Sequence, residues 1–362
     1  MSLPSDSWGC RVTPDSEPSL IDVADTAAEL AELRSAADDI LAHAWSVERT
    51  RRLLGQTGGC FDADACKTVV DVGWPDVMVP ESRGGGGGGL RELCVLAEAA
   101  GAVALPVPLV SMAAAAWCEA RCVQDVTLLL DDTQATVTDS GVTGHWPLVP
   151  FGAIANRLLV LAYRDGEPLL GVVDASGPGV RCDAERPLDQ SPAGRISLDD
   201  APLDVIATGA EAANRHRDAR FRAQLATVSE LIGIASAANE AAVDYAKVRV
   251  TFGRPIGSRQ AIKHRLVDQR SAIEVARALV NRAADACELG HPDTEALVSL
   301  AVFWAIDSLR RVPEGATQVF GGIAYTWEHD AHVYLRRAAT CVAMLGSRAH
   351  HREVVTRWLQ SR

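Results

Sequence analysis

No stretch of this sequence is both long enough and apolar enough to cross a bilayer. The best candidate, Val103 to Trp117, is short and interrupted by Pro106 and Pro108, and falls below the roughly 20 apolar residues that a spanning helix needs. The first twenty residues carry neither a basic stretch nor an apolar run. They hold no visible export signal and read as a disordered or loosely packed start. Basic residues are in deficit: 35 Lys and Arg stand against 47 Asp and Glu, a formal net charge of −12. That balance argues against a nucleic-acid partner, which requires a clustered basic surface. It leaves room for an anionic small ligand held by a few local arginines. Metal-site spacing is missing too. The nine cysteines are scattered, and although Cys118 and Cys122 are four apart, no second pair or histidine couple completes a zinc site. His350 and His351 are adjacent and so do not share a helix face. The six-glycine run Gly84 to Gly89 lacks the preceding strand and the following Lys-Ser or Lys-Thr of a phosphate loop, and reads as a flexible inter-helix loop. Reduced thiols, no metal, no membrane and a cytoplasmic setting are the expectations.

What is present is ordinary for a globular protein. The 362 residues are 48% apolar and 23% charged, enough for two or three domains with a substantial core. From about Leu20 to Cys122 the texture is helical. Ala28, Leu30, Leu33, Ala36, Ile40 and Leu41 recur at the intervals of an amphipathic helix. A second helix is expected after Phe61, capped by Asp62 or Asp64, and Gly73 to Pro80 reads as a connecting turn. Leu90 to Leu109 reads as another helix, stopped at the prolines. From about Val126 to Ala207, short β-type runs separated by Gly, Pro, Asp and Asn predict an antiparallel sheet or small barrel. Helix returns from Asn214, with segments at Ala223–Val248, Ala261–Gly290 and about Pro292–Arg311. A last one breaks at Gly321-Gly322 and resumes through His332 to Ala343. The expected fold class is α+β multidomain: a loose start (1–20), an N-terminal helical domain (21–123), a small middle β domain (124–210) and a C-terminal four-helix bundle (211–362).

Two strings in the last segment are long and specific. One is Arg249-Val-Thr-Phe-Gly-Arg-Pro-Ile-Gly-Ser-Arg-Gln260, running on to Asp268. The other is Gln318-Val-Phe-Gly-Gly-Ile-Ala-Tyr-Thr-Trp-Glu-His-Asp330, followed by Tyr334-Leu-Arg-Arg-Ala338. Together with the helix–sheet–helix order they closely resemble the acyl-CoA dehydrogenases, of actinobacterial type, over about residues 25 to 355. The resemblance implies FAD as cofactor, an acyl thioester (on CoA or a carrier protein) as substrate, and α,β-dehydrogenation as the reaction. It also implies an oligomer, either of identical chains or with a related subunit, because these loops reach the flavin of a neighbouring subunit. It would place Arg249 on the FAD diphosphate, where a planar cation pairs well with phosphate oxygens. Thr251, Phe252 and Gln260 would lie against the cofactor. Gln318 and the Gly321-Gly322 pair would approach another diphosphate through backbone N–H groups.

The resemblance also exposes a gap. The family's base is a carboxylate in a mostly apolar pocket, which raises its pKa toward neutrality. A gapless count from Gly321-Gly322 puts Leu345 at the position most members use, with Met344 and Gly346 on either side. Members of a second branch carry the base on the first long bundle helix, where Ala223 and Gln224 stand here. None of these side chains can take a proton. Glu230, seven residues after Ala223, lies on roughly the same helix face and is the candidate for a relocated base. Trp146 stands either beside the flavin or in the sheet core, and Glu328 and Asp330 read as capping or inter-helix pairing residues. Three readings stay open. The chain is an oxidoreductase with an unrecognised base, or the non-catalytic FAD-site partner of a heteromeric dehydrogenase, or a repurposed member in a specialised biosynthetic pathway.

Overall fold

The computed structural model describes residues 20–56, 58–122, 125–130 and 135–362. The expectation of a loose start falls almost wholly on residues 1–19, outside the described residues. Helix α1 (Leu20–Ala44) is followed by α2 (Val47–Leu53) and α3 (Ala63–Asp71). Asp62 caps α3 by accepting from the Ala65 N–H at 2.8 Å, which satisfies one of the donors a helix start leaves open. Next come α4 (Leu90–Ala102) and α5 (Leu109–Cys118). The Leu90–Leu109 segment is thus shorter than expected. It ends at Ala102, before the prolines, and Ala104 just beyond takes a positive φ of 48°; a separate helix, α5, begins after Pro108, where proline's fixed φ and missing N–H suit a helix start. The glycine run is not loose either. The N–H groups of Gly86, Gly87 and Gly88 donate to the carbonyls of Asp76, Val79 and Val77 at 2.8–3.0 Å, so the run folds back on the turn before it.

The middle sheet comprises β1 (Thr127–Leu129), β2 (Ala135–Val137), β3 (Val142–Val149), β4 (Arg157–Arg164), β5 (Glu167–Asp174), β6 (Val180–Glu185), β7 (Ala193–Ala201) and β8 (Asp204–Thr208). The strand order is β6-β7-β3-β2-β4-β5-β8, with β1 also paired to β4. The sheet is not purely antiparallel, because β1 and β2 run parallel to β4. Burial gives the physical reason. Leu158 to Ala162 of β4 are all buried, with Leu158, Val160 and Ala162 in the sheet's own core and Leu159 and Leu161 packed with residues of α5 and the next helix. A strand covered on both faces reads as an unbroken apolar run and tolerates parallel neighbours.

Helix α6 (Gly209–Val248) is the axis of the molecule and touches α4, α5, β5 and most of the elements after it. A short hairpin, β9 (Val250–Thr251) and β10 (Arg254–Pro255), links it to α7 (Gln260–Glu288). Then follow α8 (Thr294–Trp304), a π-helical turn at Ala305–Leu309, α9 (Arg311–Phe320), α10 (Ala331–Met344) and α11 (Arg348–Gln360). Among the described residues no helix is long and apolar enough to cross a membrane.

Two glycines let α4 and α6 cross at very short range. A methyl on Gly101 would lie 2.1 Å from the Glu230 carbonyl oxygen, and one on Gly233 would lie 2.0 Å from that of Glu98. Gly101→Ala is therefore expected to cost about 1–3 kcal/mol by overpacking, read as a lower urea midpoint. Gly58→Ala, with nothing within 4 Å of its added methyl, should leave the midpoint nearly unchanged.

Candidate functional site

A cavity of about 450 Å³ opens between the sheet and the bundle. The start of α5, the end of β3, the β6–β7 loop, α6 and the end of α10 all contribute to its wall. The wall is mostly apolar, with Val110, Leu129, Leu148 and Met344 among its residues. Leu345, Ala223, Gln224 and Glu230, chosen from the sequence on separate grounds, all line this one cavity.

Leu345 is only 1% exposed and closes α10, after which Gly346 turns the chain at φ 80°. Its carbonyl accepts from His351 Nε2 at 2.9 Å, so His351, one of the adjacent histidine pair, holds the end of α10. Ala223 and Gln224 line the cavity from α6, about two turns before Glu230. Among the described residues lining the cavity, Glu230 is the one carboxylate.

Glu230 is not presented as an unpaired base. Arg337 of α10 donates from Nε to Glu230 Oε1 at 2.6 Å and from Nη1 to Asp189 Oδ2 at 2.9 Å. All three residues are buried, and Asp189 also accepts from the Ser191 N–H and hydroxyl. Burial by itself disfavours the guanidinium charge. The neighbouring carboxylates of Glu230 and Asp189 outweigh that and hold Arg337 well above the ordinary arginine pKa. Burial, with Glu230 beside it, pushes the Cys341 thiol up, so it stays protonated and inert. Phe151 takes a left-handed backbone conformation (φ 61°) that non-glycine residues rarely adopt. Its ring packs edge-on to Phe61 and lies 5.7 Å from the Arg337 guanidinium carbon. Sequence reading missed Asp189 and Arg337. Trp146 is 3% exposed and belongs to the sheet core, while Leu148 to Phe151, just beyond it, line the cavity.

The two loop strings lie elsewhere. Tyr245 near the end of α6 packs edge-on against Phe320 at the end of α9, with centroids 5.3 Å apart, which draws both loops to one end of the bundle. Arg249 follows the last turn of α6 and is exposed. Thr251 is in β9, and Phe252 and Gly253 form the hairpin tip, both with positive φ. Phe252 is 95% exposed, with the Arg259 guanidinium 5.3 Å from its ring. Gln260 begins α7 and its side-chain oxygen contacts His264 Nε2 at 3.0 Å. Gln318 is exposed on α9, and a methyl built on Gly321 or Gly322 meets nothing within 4 Å. Asp330 pairs with Arg51 of α2 at 3.4 Å, while Glu328 is exposed.

Residues 221–360 match the family model described as "Acyl-CoA dehydrogenase, C-terminal domain". The chain is 33% identical over 287 residues to the acyl-CoA dehydrogenase IpdE2 of Mycobacterium tuberculosis, covering 79% of this chain and 82% of the relative. This chain belongs to the acyl-CoA dehydrogenase family. It is also 33% identical over 303 residues to FadE34 of the same organism, covering 79% of this chain and spanning 41% of that longer relative. Among solved structures, a steroid ACAD (Tcur3481-Tcur3483, G363A variant) superposes with a TM-score of 0.82 at 27% identity, over 92% of this chain and 98% of that one. The family is one of flavoprotein oxidoreductases. The helix–sheet–helix architecture is its fold, and the actinobacterial affinity agrees with the mycobacterial relatives.

Proposed function

We propose that this acyl-CoA dehydrogenase family member is the FAD-site partner in an assembly that desaturates an acyl thioester between carbons 2 and 3, with the deprotonating carboxylate supplied by a related subunit. One observation carries the proposal. Leu345, Ala223 and Gln224, which the resemblance aligns with the family's base positions, line one cavity with none able to take a proton, and the single carboxylate among the described residues of its wall is engaged by Arg337. The solved neighbour is itself named as a pair, Tcur3481-Tcur3483, which fits a division of labour between unlike chains.

The loop residues fit FAD. Among the described residues the Arg249 guanidinium has no carboxylate partner, and the surface around Gly321-Gly322 is open on its own chain. The Phe252 ring is left almost entirely in water unless a neighbour covers it. When bound, FAD supplies a hydride acceptor. In this reading Arg249 pairs with a diphosphate oxygen, Thr251, Phe252 and Gln260 line the cofactor, and the Gly321-Gly322 backbone with Gln318 donates to a second diphosphate. Purified protein is expected to be yellow. Arg249→Ala should weaken FAD binding about ten- to hundredfold, the worth of one charge-assisted hydrogen bond of about 1.5–3 kcal/mol, measured by titrating apoprotein with FAD. Protein that takes up no FAD, alone or with a related chain, would overturn the assignment.

A further inference from the structure

The β6–β7 loop forms one wall of the cavity through Pro187 and Leu188. Its own backbone does not favour the shape it holds. Gln190 has φ 58°, a left-handed conformation that costs a non-glycine residue free energy and persists only where the surroundings impose it. Bonds from separate parts of the fold impose it here. From α10, Arg336 Nη1 donates to the Leu188 carbonyl at 3.0 Å, next to the Arg337–Asp189 bond. From the segment between α2 and α3, the Gly55 N–H donates to Gln190 Oε1 and the Cys60 N–H to the Gln190 carbonyl, both at 2.6 Å. From the chain after β3, the Ala153 N–H donates to the Pro192 carbonyl at 3.0 Å. Arg336 and Gln190 are not among the residues that line the cavity, so any effect they have on it passes through the loop. Leu188 is 57% exposed, which sets this part of the wall at the cavity's rim.

We infer that Arg336 and Gln190 are positioning residues for ligand binding. They hold the β6–β7 loop as a fixed rim, and the fixed rim slows the escape of an acyl thioester from the cavity. Pro187 and Leu188 make the rim apolar, which suits the hydrocarbon of an acyl chain. A loop freed of these ties samples other conformers, so ordering it around a ligand costs entropy and the ligand leaves faster. Both side-chain bonds lie at the surface, where single substitutions change global stability little. Their loss therefore acts on the loop and not on the fold as a whole. The inference rests on the acyl-thioester reading of the cavity and adds the residues that hold its rim.

The test is surface plasmon resonance on the protein as purified, with octanoyl-CoA and palmitoyl-CoA as probes, alongside amide hydrogen exchange of residues 187–192. Arg336→Ala should speed dissociation of at least one probe about tenfold, the worth of one hydrogen bond to a charged group. Exchange in the loop should rise, with the urea midpoint nearly unchanged. Arg336→Lys, which still carries a donor, should restore slow release. Gln190→Ala should act like Arg336→Ala, and Gln190→Glu, which keeps the acceptor, should not. Unchanged loop exchange, faster exchange with unchanged dissociation, a rate that Arg336→Lys does not restore, or a urea midpoint that falls in step with the rate overturns the inference alone. If wild type binds neither probe, the thioester reading of the cavity falls and the inference falls with it.

Discussion

Leu345→Glu is expected to speed the loss of the visible flavin band on anaerobic addition of acyl-CoA by about 10²–10⁴-fold, the usual worth of a positioned general base. The site is prepared for the exchange. Leu345 lines the cavity and is 1% exposed. The backbone there is fixed by the His351 contact to its carbonyl and by the left-handed turn at Gly346. Met344, Ala343 and the other apolar wall residues would raise the pKa of the new carboxyl by desolvation, and a raised carboxyl is the competent kind near neutral pH. The control is Leu345→Gln, which matches the shape and cannot take the proton. A panel of acyl-CoAs tested against wild type, Leu345→Glu and Leu345→Gln separates the possibilities. If Leu345→Gln gains as much as Leu345→Glu, the gain is one of shape and not of proton transfer. If wild type already bleaches quickly, the missing-base argument fails, and Glu230→Gln becomes the variant that identifies the base.

The elements of this fold differ in how openly the sequence announces them. The long bundle helices are visible because apolar residues recur at helical spacing over twenty or more positions, and Asp62 is visible as a cap because its chemistry is local. The parallel pairing of β1 and β2 with β4 is not visible, because strand direction is set by which faces are covered and not by the strands' own composition. The turns of α5 and α11 were obscured by prolines before one and a charged, weakly apolar pattern in the other. The candidate site divides in the same way. Leu345, Ala223 and Gln224 are reached by counting from the strings that resemble the acyl-CoA dehydrogenases, Glu230 by helix periodicity from Ala223, and all four line one cavity. Asp189 is a loop residue 148 positions from its partner, and no local pattern points to it. Arg337 did leave a signal. It falls among Tyr334, Ala338, Cys341 and Leu345, the buried stripe of α10, and a charge on an apolar stripe demands a partner.

That demand sets the second large effect. Arg337→Leu is expected to destabilise the protein by about 3–5 kcal/mol, the cost of leaving buried carboxylates without their counter-charge, read as a fall in the urea midpoint with unchanged slope. The size follows from where the three charges sit. Glu230 is in the middle of α6 against the α4 crossing, Asp189 is in the β6–β7 loop, and Arg337 is on α10. The loop is tied in turn to the N-terminal segment through the Cys60 N–H, which donates to the Gln190 carbonyl at 2.6 Å. Arg337 therefore joins sheet to bundle through two bonds from a single side chain. A purely steric role predicts a different pattern from an ionic one. Glu230→Gln combined with Arg337→Met removes one charge of each sign and keeps most of the volume. It should recover more than half of the loss seen in Arg337→Leu, because replacing a buried pair costs far less than breaking it. If the double variant is as unstable as Arg337→Leu alone, the bond to Asp189, which both variants lose, carries the effect, and the pair with Glu230 does not.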